Sequence, residues 1–551
     1  MVFKSEPLLM MPQTGLTRFI FSNPNSVSDD KPIFIEAESG NVITFGQLRN
    51  LSLRLNAGLR RHGFKKGDTL CIYSSNTIDY GVVVHGTIAA GGVVTTANAA
   101  YTADELLFQL QESNAKYLVT NDENLDKALE AAAKAGLSQN NVFLFGNRTI
   151  KGVRPYTQVI LANEEAEAEE YTFEEAKSTT AYLCFSSGTT GRSKGVMSSH
   201  LNIAANCVQI AQFMKPYLDY QTARFIGFLP FYHIYGLSCM LHLAPYWGIP
   251  VVVMPRFDLV KFCEAIQKYK VTIAHVVPPV LVLLAKEPIV DNYDLSSATH
   301  FQCGAAPLSA ELSTAVNTRL NTKCVQSYGM TESSPGSHIQ PLDDDEHGVI
   351  GKMLPGMSAK IVDDNGNEVG LGQRGELWMA GKDPVFLRSC PNIMQGYLNM
   401  PEATAATIDS EGYLHTGDVA TLDERGTFAI VDRVKELIKY KGFQVAPAEL
   451  EALLLTCDKV ADCAIIGVYD EQQATELPRA YIKVTEGTPQ NEATVKELIR
   501  FVDSSVANHK KLRGGVRFLD VIPKSAAGKI LRKELRVIAN AEAQPKFNAR
   551  L

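Results

Sequence analysis

Short apolar runs alternate with helical patterns along most of this chain. "DTLCIYSSN", "KYLVTND" and "GIPVVVMPRF" read as buried strands, since apolar residues stand together between polar or turn-forming flanks. "TFGQLRNLSLRLNAGLRRHG" and "LVKFCEAIQKYK" repeat their apolar positions with the helical period. Such alternation predicts an α/β fold with largely parallel sheets. The most apolar stretch, "YGVVVHGTIAAGGVVTTANAA" from Tyr80, is broken by His85, Thr87 and two adjacent glycines. It reads as a buried helix followed by a strand rather than a membrane span. No internal repeat of fixed period is visible.

The pattern changes near residue 410. "EGYLHTGDVATLDERGTFAIVDR" has the short alternating strands of a β-rich segment. Beyond it comes a unit of small-domain size, whose helix "NEATVKELIRFVDSSVA" carries Val495, Leu498, Ile499 and Val502 on one face. The expected architecture is a large N-terminal domain, residues 1–432, of parallel and mixed sheets with packed helices and a β-rich subdomain. A small, mobile α+β C-terminal domain, residues 433–551, follows a join between Asp432 and Lys435.

Composition narrows the picture. A length of 551 residues exceeds one compact core. Hydrophobic residues at 45% and charged residues at 21% are ordinary for a globular protein. A net charge of -7 argues against a general nucleic-acid surface. The ten cysteines are scattered without C-x-x-C spacing, which disfavours structural zinc and a disulfide framework and points to a reducing compartment. "MVFKSEPLLMMPQTG" lacks the apolar core and cleavage site of a signal peptide. The acidic run Asn163–Lys177 is expected to be a solvated surface segment. The final Ala549, Arg550 and Leu551 resemble a peroxisomal address, read by an import receptor, or else form a frayed tail. The expected location is the peroxisome, otherwise the cytoplasm.

The candidate chemistry begins in "CFSSGTTGRSKGVMSSH". Gly188, Gly191, Lys194 and Gly195 depart from the P-loop spacing G-x-x-x-x-G-K-[ST], and glycine follows the lysine where a metal-binding hydroxyl is needed. A Walker-type NTPase is therefore disfavoured. Phosphate remains favoured, because glycines let backbone N–H groups approach oxygens. Ser186, Ser187, Thr189 and Thr190 add donors, and Lys194 adds charge. "LNIAANCVQIAQFM" then reads as a helix whose N-terminal end lies nearby. By itself such a cluster is equally a mobile polar loop.

The loop has company. "SSGTTGRSKGV" resembles the signature of the adenylate-forming superfamily, which includes acyl- and aryl-CoA ligases, luciferases and peptide-synthetase adenylation domains. "QCGAAPL", "SYGMTESS", "GELWMAG", "GYLHTGDVA", "DRVKELIKYKGFQVAPAELE" and "PKSAAGKILRKELR" resemble its further motifs in the same order. "KELIKYKGFQVAPAELE" is most similar to 4-coumarate-CoA ligases and their relatives.

The resemblance implies roles. Ser186, Ser187, Gly188, Thr189, Thr190, Gly191 and Lys194 would bind the phosphates of ATP. Glu332 would hold Mg2+, a hard cation that takes few carboxylates, and Thr331 would contact the α-phosphate; alone, the pair equally suits a helix start. Gly304, Ala305 and Ala306 would form a slot for adenine beside Tyr328, with Gln326 and Gly329 also at the nucleotide. Asp418 and Arg433 would hydrogen-bond the ribose, or form an ion pair at the domain border. Lys529 would neutralise charge between the substrate carboxylate and the α-phosphate. Lys439 and Gln444 would also hold the adenylate. His233 would border the acyl pocket, or be a satisfied core histidine. Ile234, Tyr235, Cys239, Val277, Gly304 and Gly329 are expected in the pocket wall, although apolar residues there equally suit plain core.

The implied reaction has two steps. A carboxylate attacks the α-phosphate of ATP, giving acyl-AMP and pyrophosphate, and the thiol of coenzyme A then displaces AMP. The cap would turn about Lys435 between the steps, bringing Lys441 and Gly442 toward CoA. The expected protein is an acid–thiol ligase acting on an aromatic, cinnamate-like acid or a medium-to-long fatty acid. The alternatives are a luciferase-type adenylating oxygenase, a peptide-synthetase adenylation module (weakened because the chain ends soon after "GKILRKELR"), or a non-catalytic nucleotide- or acyl-binding protein on the same scaffold.

Overall fold

The computed structural model describes residues 2–186, 193–363, 365–379, 390–433, 436–440, 443–470, 473, 475–506, 508–525 and 528–543. Two large sheets dominate. One has seven strands in the order Gly396–Tyr397, Lys194–Ser199, Thr180–Ser186, Val93–Ala97, Thr69–Tyr73, Ala115–Thr120 and Val142–Leu144. Its last five strands are parallel, and the first two complete one edge antiparallel. The other sheet has nine strands: Lys352–Met353, Gly336–Ile339, Lys323–Gly329, His300–Cys303, Ile273–Val276, Phe225–Gly227, Val251–Val253, Pro32–Glu36 and Val42–Thr44. Its middle six strands, from Lys323–Gly329 to Pro32–Glu36, run parallel. The α/β expectation is met for a physical reason. Every residue of Thr69–Tyr73 and Ile273–Val276 is buried, as parallel strands covered on both faces require.

The helices follow the apolar pattern. Phe45–Arg61 starts at a capping box of Thr44 and Gln47. Tyr80–Ala89 is buried along its whole length and leads into strand Val93–Ala97, as its broken apolar run predicted. Two glycines inside the helix are contact points. A Cβ on Gly81 would lie 2.7 Å from Phe34, and one on Gly86 would lie 2.7 Å from Leu55. The glycines therefore let this helix lie close to both the sheet and its helical neighbour.

The acidic run does more than meet solvent. Its glutamates are largely exposed, yet its backbone is tied along Phe45–Arg61, with Ala166 N–H donating to the Leu53 carbonyl at 3.1 Å. Asn56 Nδ2 donates to the carbonyls of Ala166 at 3.0 Å and Glu167 at 2.9 Å.

A five-stranded antiparallel sheet contains Phe3–Lys4, Ser358–Val362, Gly375–Met379, Leu414–Leu422 and Phe428–Arg433. This is the β-rich segment. After the short hairpin of Ile438–Tyr440 and Phe443–Val445 comes a separate three-stranded sheet, Val460–Asp470, Thr475–Val484 and Gly515–Phe518. Helices Pro447–Leu455 and Glu492–Ser505 share one apolar cluster with it; helix Arg532–Ala543 contributes to another. Leu498 and Val502 are buried, with Val495 and Ile499 packed beside them. Arg532 joins these parts. Its guanidinium bonds Glu436, and its Nη2 reaches both oxygens of Glu451 at 2.7 Å. Among the described residues no helix is long and apolar enough to cross a membrane.

Five histidines, His85, His200, His242, His275 and His338, are buried. Burial lowers all of them, His85 and His275 to about 4, and His200 and His338 to about 3. On unfolding each ring returns toward 6.5. The unfolded chain therefore binds more protons than the folded one below that pH, and acid opposes folding. Each ring contributes a slope of up to about 1.4 kcal/mol per pH unit within its window. Urea midpoints measured from pH 8 to 5 should be level above about pH 7 and fall steeply below 6.5. A level midpoint down to pH 5 would show that these rings are not buried neutral.

Candidate active site

A cavity of about 1130 Å3 opens beyond the carboxyl ends of strands from both large sheets. Asn98, Ser186, Gly304 and Gly329 lie at or just past those ends and line it. Ligands of open α/β sheets bind at such ends, where loops diverge.

The polar end collects Ser186, Ser193, Lys194, Thr331 and Glu332. Ser186 and Lys194 pair across antiparallel strands. Between them Ser187, Gly188, Thr189, Thr190 and Gly191 lie outside the described residues. Helix His200–Met214 follows, as expected. Glu332 is buried, and its Oε1 accepts from the Tyr397 hydroxyl at 2.8 Å and from Ser186 Oγ at 3.4 Å. Burial and then the Glu332 carboxylate push the Tyr397 phenol upward, so it stays a donor. Lys194 Nζ stands 4.5 Å from the centre of the same ring. One tyrosine thus steadies both a carboxylate and an ammonium group. Glu332 Oε2 makes no hydrogen bond among the described residues. Among the described residues no group of three or more His, Cys, Asp or Glu is arranged for a metal. A single carboxylate suits Mg2+ arriving with phosphates, because that ion keeps most of its waters and phosphate ligands.

Gly304, Ala305, Tyr328 and Gly329 form the next part of the wall. The Tyr328 hydroxyl donates to Asp418 Oδ2 at 2.6 Å. Asp418 pairs in register with Arg433 across two strands, while the Arg433 side chain is outside the described structure. Ala305 takes a left-handed φ of 68°, uncommon for a residue with a Cβ. Gly329 is required by contact, since a Cβ would lie 2.0 Å from the Pro335 carbonyl oxygen. Ala306 does not line the cavity. Gln326 is turned elsewhere. Its carboxamide accepts from Leu308 N at 3.0 Å and donates to the Val349 carbonyl at 2.9 Å.

The apolar end contains Ile234, Tyr235 and Cys239 from the sequence expectation, joined by Ile210, Met214, Phe225 and Trp247. His233 caps helix Ile234–Ser238 through Nδ1, which accepts from Tyr235 N at 3.3 Å. Burial, and then the Lys529 charge, lowers His233 to about 4, so the ring is neutral near pH 7. Lys529 reaches the cavity from the C-terminal part of the chain, with Lys524, Ser525 and Leu531. Its N–H donates to Ser525 Oγ at 3.2 Å, and its carbonyl accepts from Ser525 N at 2.8 Å. Gly528 has a φ of 77° and faces Val277 and Pro279. Val277 is thus the seat of the lysine loop rather than pocket wall.

Lys439 is exposed and outside this cavity. Its N–H donates to Glu476 Oε2 at 2.7 Å. Gln444 is its strand partner, with a side chain outside the described structure. Lys435, Lys441, Gly442, Ala549, Arg550 and Leu551 lie outside the described residues. Sequence reading missed Tyr397, Trp247, His275 and Gln302, which line the cavity. Tyr397 stands in "QGYLNM", with no local pattern to mark it.

The AMP-binding enzyme profile matches residues 21–398, and the AMP-binding enzyme C-terminal domain profile matches residues 449–529. The chain belongs to the AMP-binding enzyme family. A probable 4-coumarate–CoA ligase 1 from Dictyostelium discoideum is 37% identical over 553 residues, 95% of this chain and 98% of the relative. The 4-coumarate–CoA ligase 1 of Petroselinum crispum is 37% identical over 547 residues, 97% of this chain and 96% of the relative. ATP-bound MatB from Rhodopseudomonas palustris aligns with a TM-score of 0.83 at 26% identity, covering 96% of this chain and 99% of that one. In this AMP-binding enzyme the Gly329 contact is directly testable. Gly329→Ala forces a Cβ into backbone, which should lower stability by about 1–3 kcal/mol and abolish acid-dependent pyrophosphate exchange. Wild-type exchange and melting in that variant would contradict the contact.

Proposed function

We propose that this AMP-forming acid–thiol ligase acts on an aromatic, cinnamate-like acid or a medium-to-long fatty acid. The reaction joins the acid to AMP with release of pyrophosphate, then transfers the acyl group to coenzyme A. One observation carries the residue assignment: Lys529, Thr331 and Glu332 line a cavity that continues into an apolar pocket. The apolar side suits the tail, and the 4-coumarate–CoA ligase relatives support an aromatic ring there.

The chemistry follows from charge. An acid carboxylate and the α-phosphate repel, more strongly in a cavity than in water. Lys529 lies between them and offsets charge growing at phosphorus. Lys194 and Thr331 orient the phosphate groups, with the hydroxyls and glycines of residues 187–191. Glu332 would hold Mg2+ carried with ATP, and that ion supplies neutralisation of phosphate charge when bound. Neutral His233 borders the carboxylate without adding charge or removing a proton. Asp418 and Arg433 bind the ribose, and Gly304 and Ala305 face the adenine. For thioester formation the C-terminal unit turns about Lys435. The turn withdraws Lys529 and brings Lys441 and Gly442 toward CoA. Lys439 and Gln444 return to the adenylate as that unit moves. The C-terminal Ala549, Arg550 and Leu551 act as a peroxisomal address.

Lys529→Ala should lower acid-dependent pyrophosphate release by about a thousandfold, on the scale of a lost transition-state charge contact. Thioester formation from supplied acyl-AMP and CoA should fall far less. Equal loss of both half-reactions would remove Lys529 from the first step. The address is tested by a fluorescent fusion with and without the last three residues. Retained peroxisomal targeting after their removal would reject it.

A further inference from the structure

One helix of the main body touches the C-terminal unit at both of its ends. Helix Pro278–Lys286 buries Val280, Leu281 and Leu284 in an apolar cluster with Phe262 and Phe301, so it is fixed to the main body. Its start is stiff, because Val277 caps it and two prolines fill the first positions. Gly528 sits against that start: a Cβ on it would lie 3.3 Å from Val277 and 3.4 Å from Pro279. At the other end Lys286 Nζ donates to the Val460 carbonyl at 3.1 Å. A rise of 1.5 Å per residue sets these two grips about 14 Å apart. Both lead to Lys529. Val460 opens strand Val460–Asp470, and the two oxygens of Asp462 in that strand accept from Lys524 Nζ at 2.8 and 2.7 Å. Lys524 and Ile530 form the bridge that closes the lysine loop at its base. Gly528 immediately precedes Lys529. The helix thus holds the loop directly beside the lysine and, through Val460 and Asp462, at its base. One contact would leave the unit free to swing about it, whereas two on one stiff helix fix its direction.

We propose that helix Pro278–Lys286 is the dock of the C-terminal unit during adenylation, and that Lys286 is a positioning residue that aims Lys529 without touching substrate. The proposal rests on the turn about Lys435 proposed above and names what holds its first position. Lys286 suits a grip that must open. It is exposed, and it bonds a neutral carbonyl, so water replaces the partner at small cost when the unit leaves. A buried ion pair at the same place would resist separation. Losing the grip shifts the population of the unit away from the adenylation arrangement and toward the one that admits CoA. The Lys286 charge also stands at the carboxyl end of its helix, where it offsets the helix dipole. That effect is local stability, and it bears on both half-reactions alike.

The test separates the half-reactions in the full-length protein, with 4-coumarate and octanoate as the acids. Lys286→Met should lower acid-dependent pyrophosphate release about tenfold, through kcat and with KM for ATP little changed. Thioester formation from supplied 4-coumaroyl-AMP or octanoyl-AMP and CoA should hold or rise, which also reports a folded protein. Lys286→Arg keeps a charged donor and should restore most of the first half-reaction, while Lys286→Glu should be no better than Lys286→Met. In a Lys529→Ala background, Lys286→Met should change pyrophosphate release by less than about twofold, because the lysine it aims is gone. An unchanged first half-reaction, an equal loss of both, or a full further tenfold loss on top of Lys529→Ala overturns the dock. If Lys529→Ala separates the half-reactions and Lys286→Met does not, the dock alone fails. If Lys529→Ala lowers both alike, the turn beneath the proposal fails with it.

Discussion

Like charges must meet inside a low-dielectric cavity, and this constraint organises the site. A carboxylate and a polyphosphate cannot approach without nearby positive charge. Among the described residues three lysines line the cavity, Lys194, Lys524 and Lys529, and Lys524 is already paired with Asp462. Lys194 begins a strand of the seven-stranded sheet, and its ammonium rests over the Tyr397 ring. Lys529 comes from the C-terminal unit, on a loop whose glycine lies against Val277 and Pro279. One positive group is thus built into the main body, and the other is delivered from elsewhere. A charge on a separable unit can serve one step of a reaction and be absent from the next.

The C-terminal unit can carry that charge because it is internally tied. Arg532 stands three positions after Lys529 and holds Glu436 and Glu451 at once. Glu451 also accepts from Ile465 N at 2.7 Å, so the arginine joins the residues after the join, a helix and the long hairpin. Breaking such a buried set by removing one partner is costly, typically about 3–5 kcal/mol. Among the described residues its contacts to the main body include Lys286 Nζ to the Val460 carbonyl at 3.1 Å, the Gly528 seat, and a small cluster of Val419, Leu437 and Ala446. The turn proposed above would therefore carry this unit as one body.

The acyl pocket shows a second use of burial. His233 and His275 are both driven neutral, so the pocket keeps polar donors and acceptors without fixed charge. Ile234, Tyr235 and Cys239 come from one local segment and were legible as wall candidates. Gln302 and His275 were not, because each belongs to a strand whose outlook depends on which sheet face meets the cavity.

The linear pattern determined the α/β class and the order of the motifs. These depend on local periodicity and on residue types at fixed spacing. It also marked Lys529, Glu332 and Thr331, since each stands inside a short motif whose residues act as neighbours. Only the tertiary structure decided that Tyr397 supports Glu332 and Lys194, that Val277 seats Gly528, and that the Gln326 carboxamide bonds Leu308 and Val349. Those contacts join residues far apart in the chain. Their existence depends on how two sheets and a third unit pack, and side-chain periodicity carries no information about that distance.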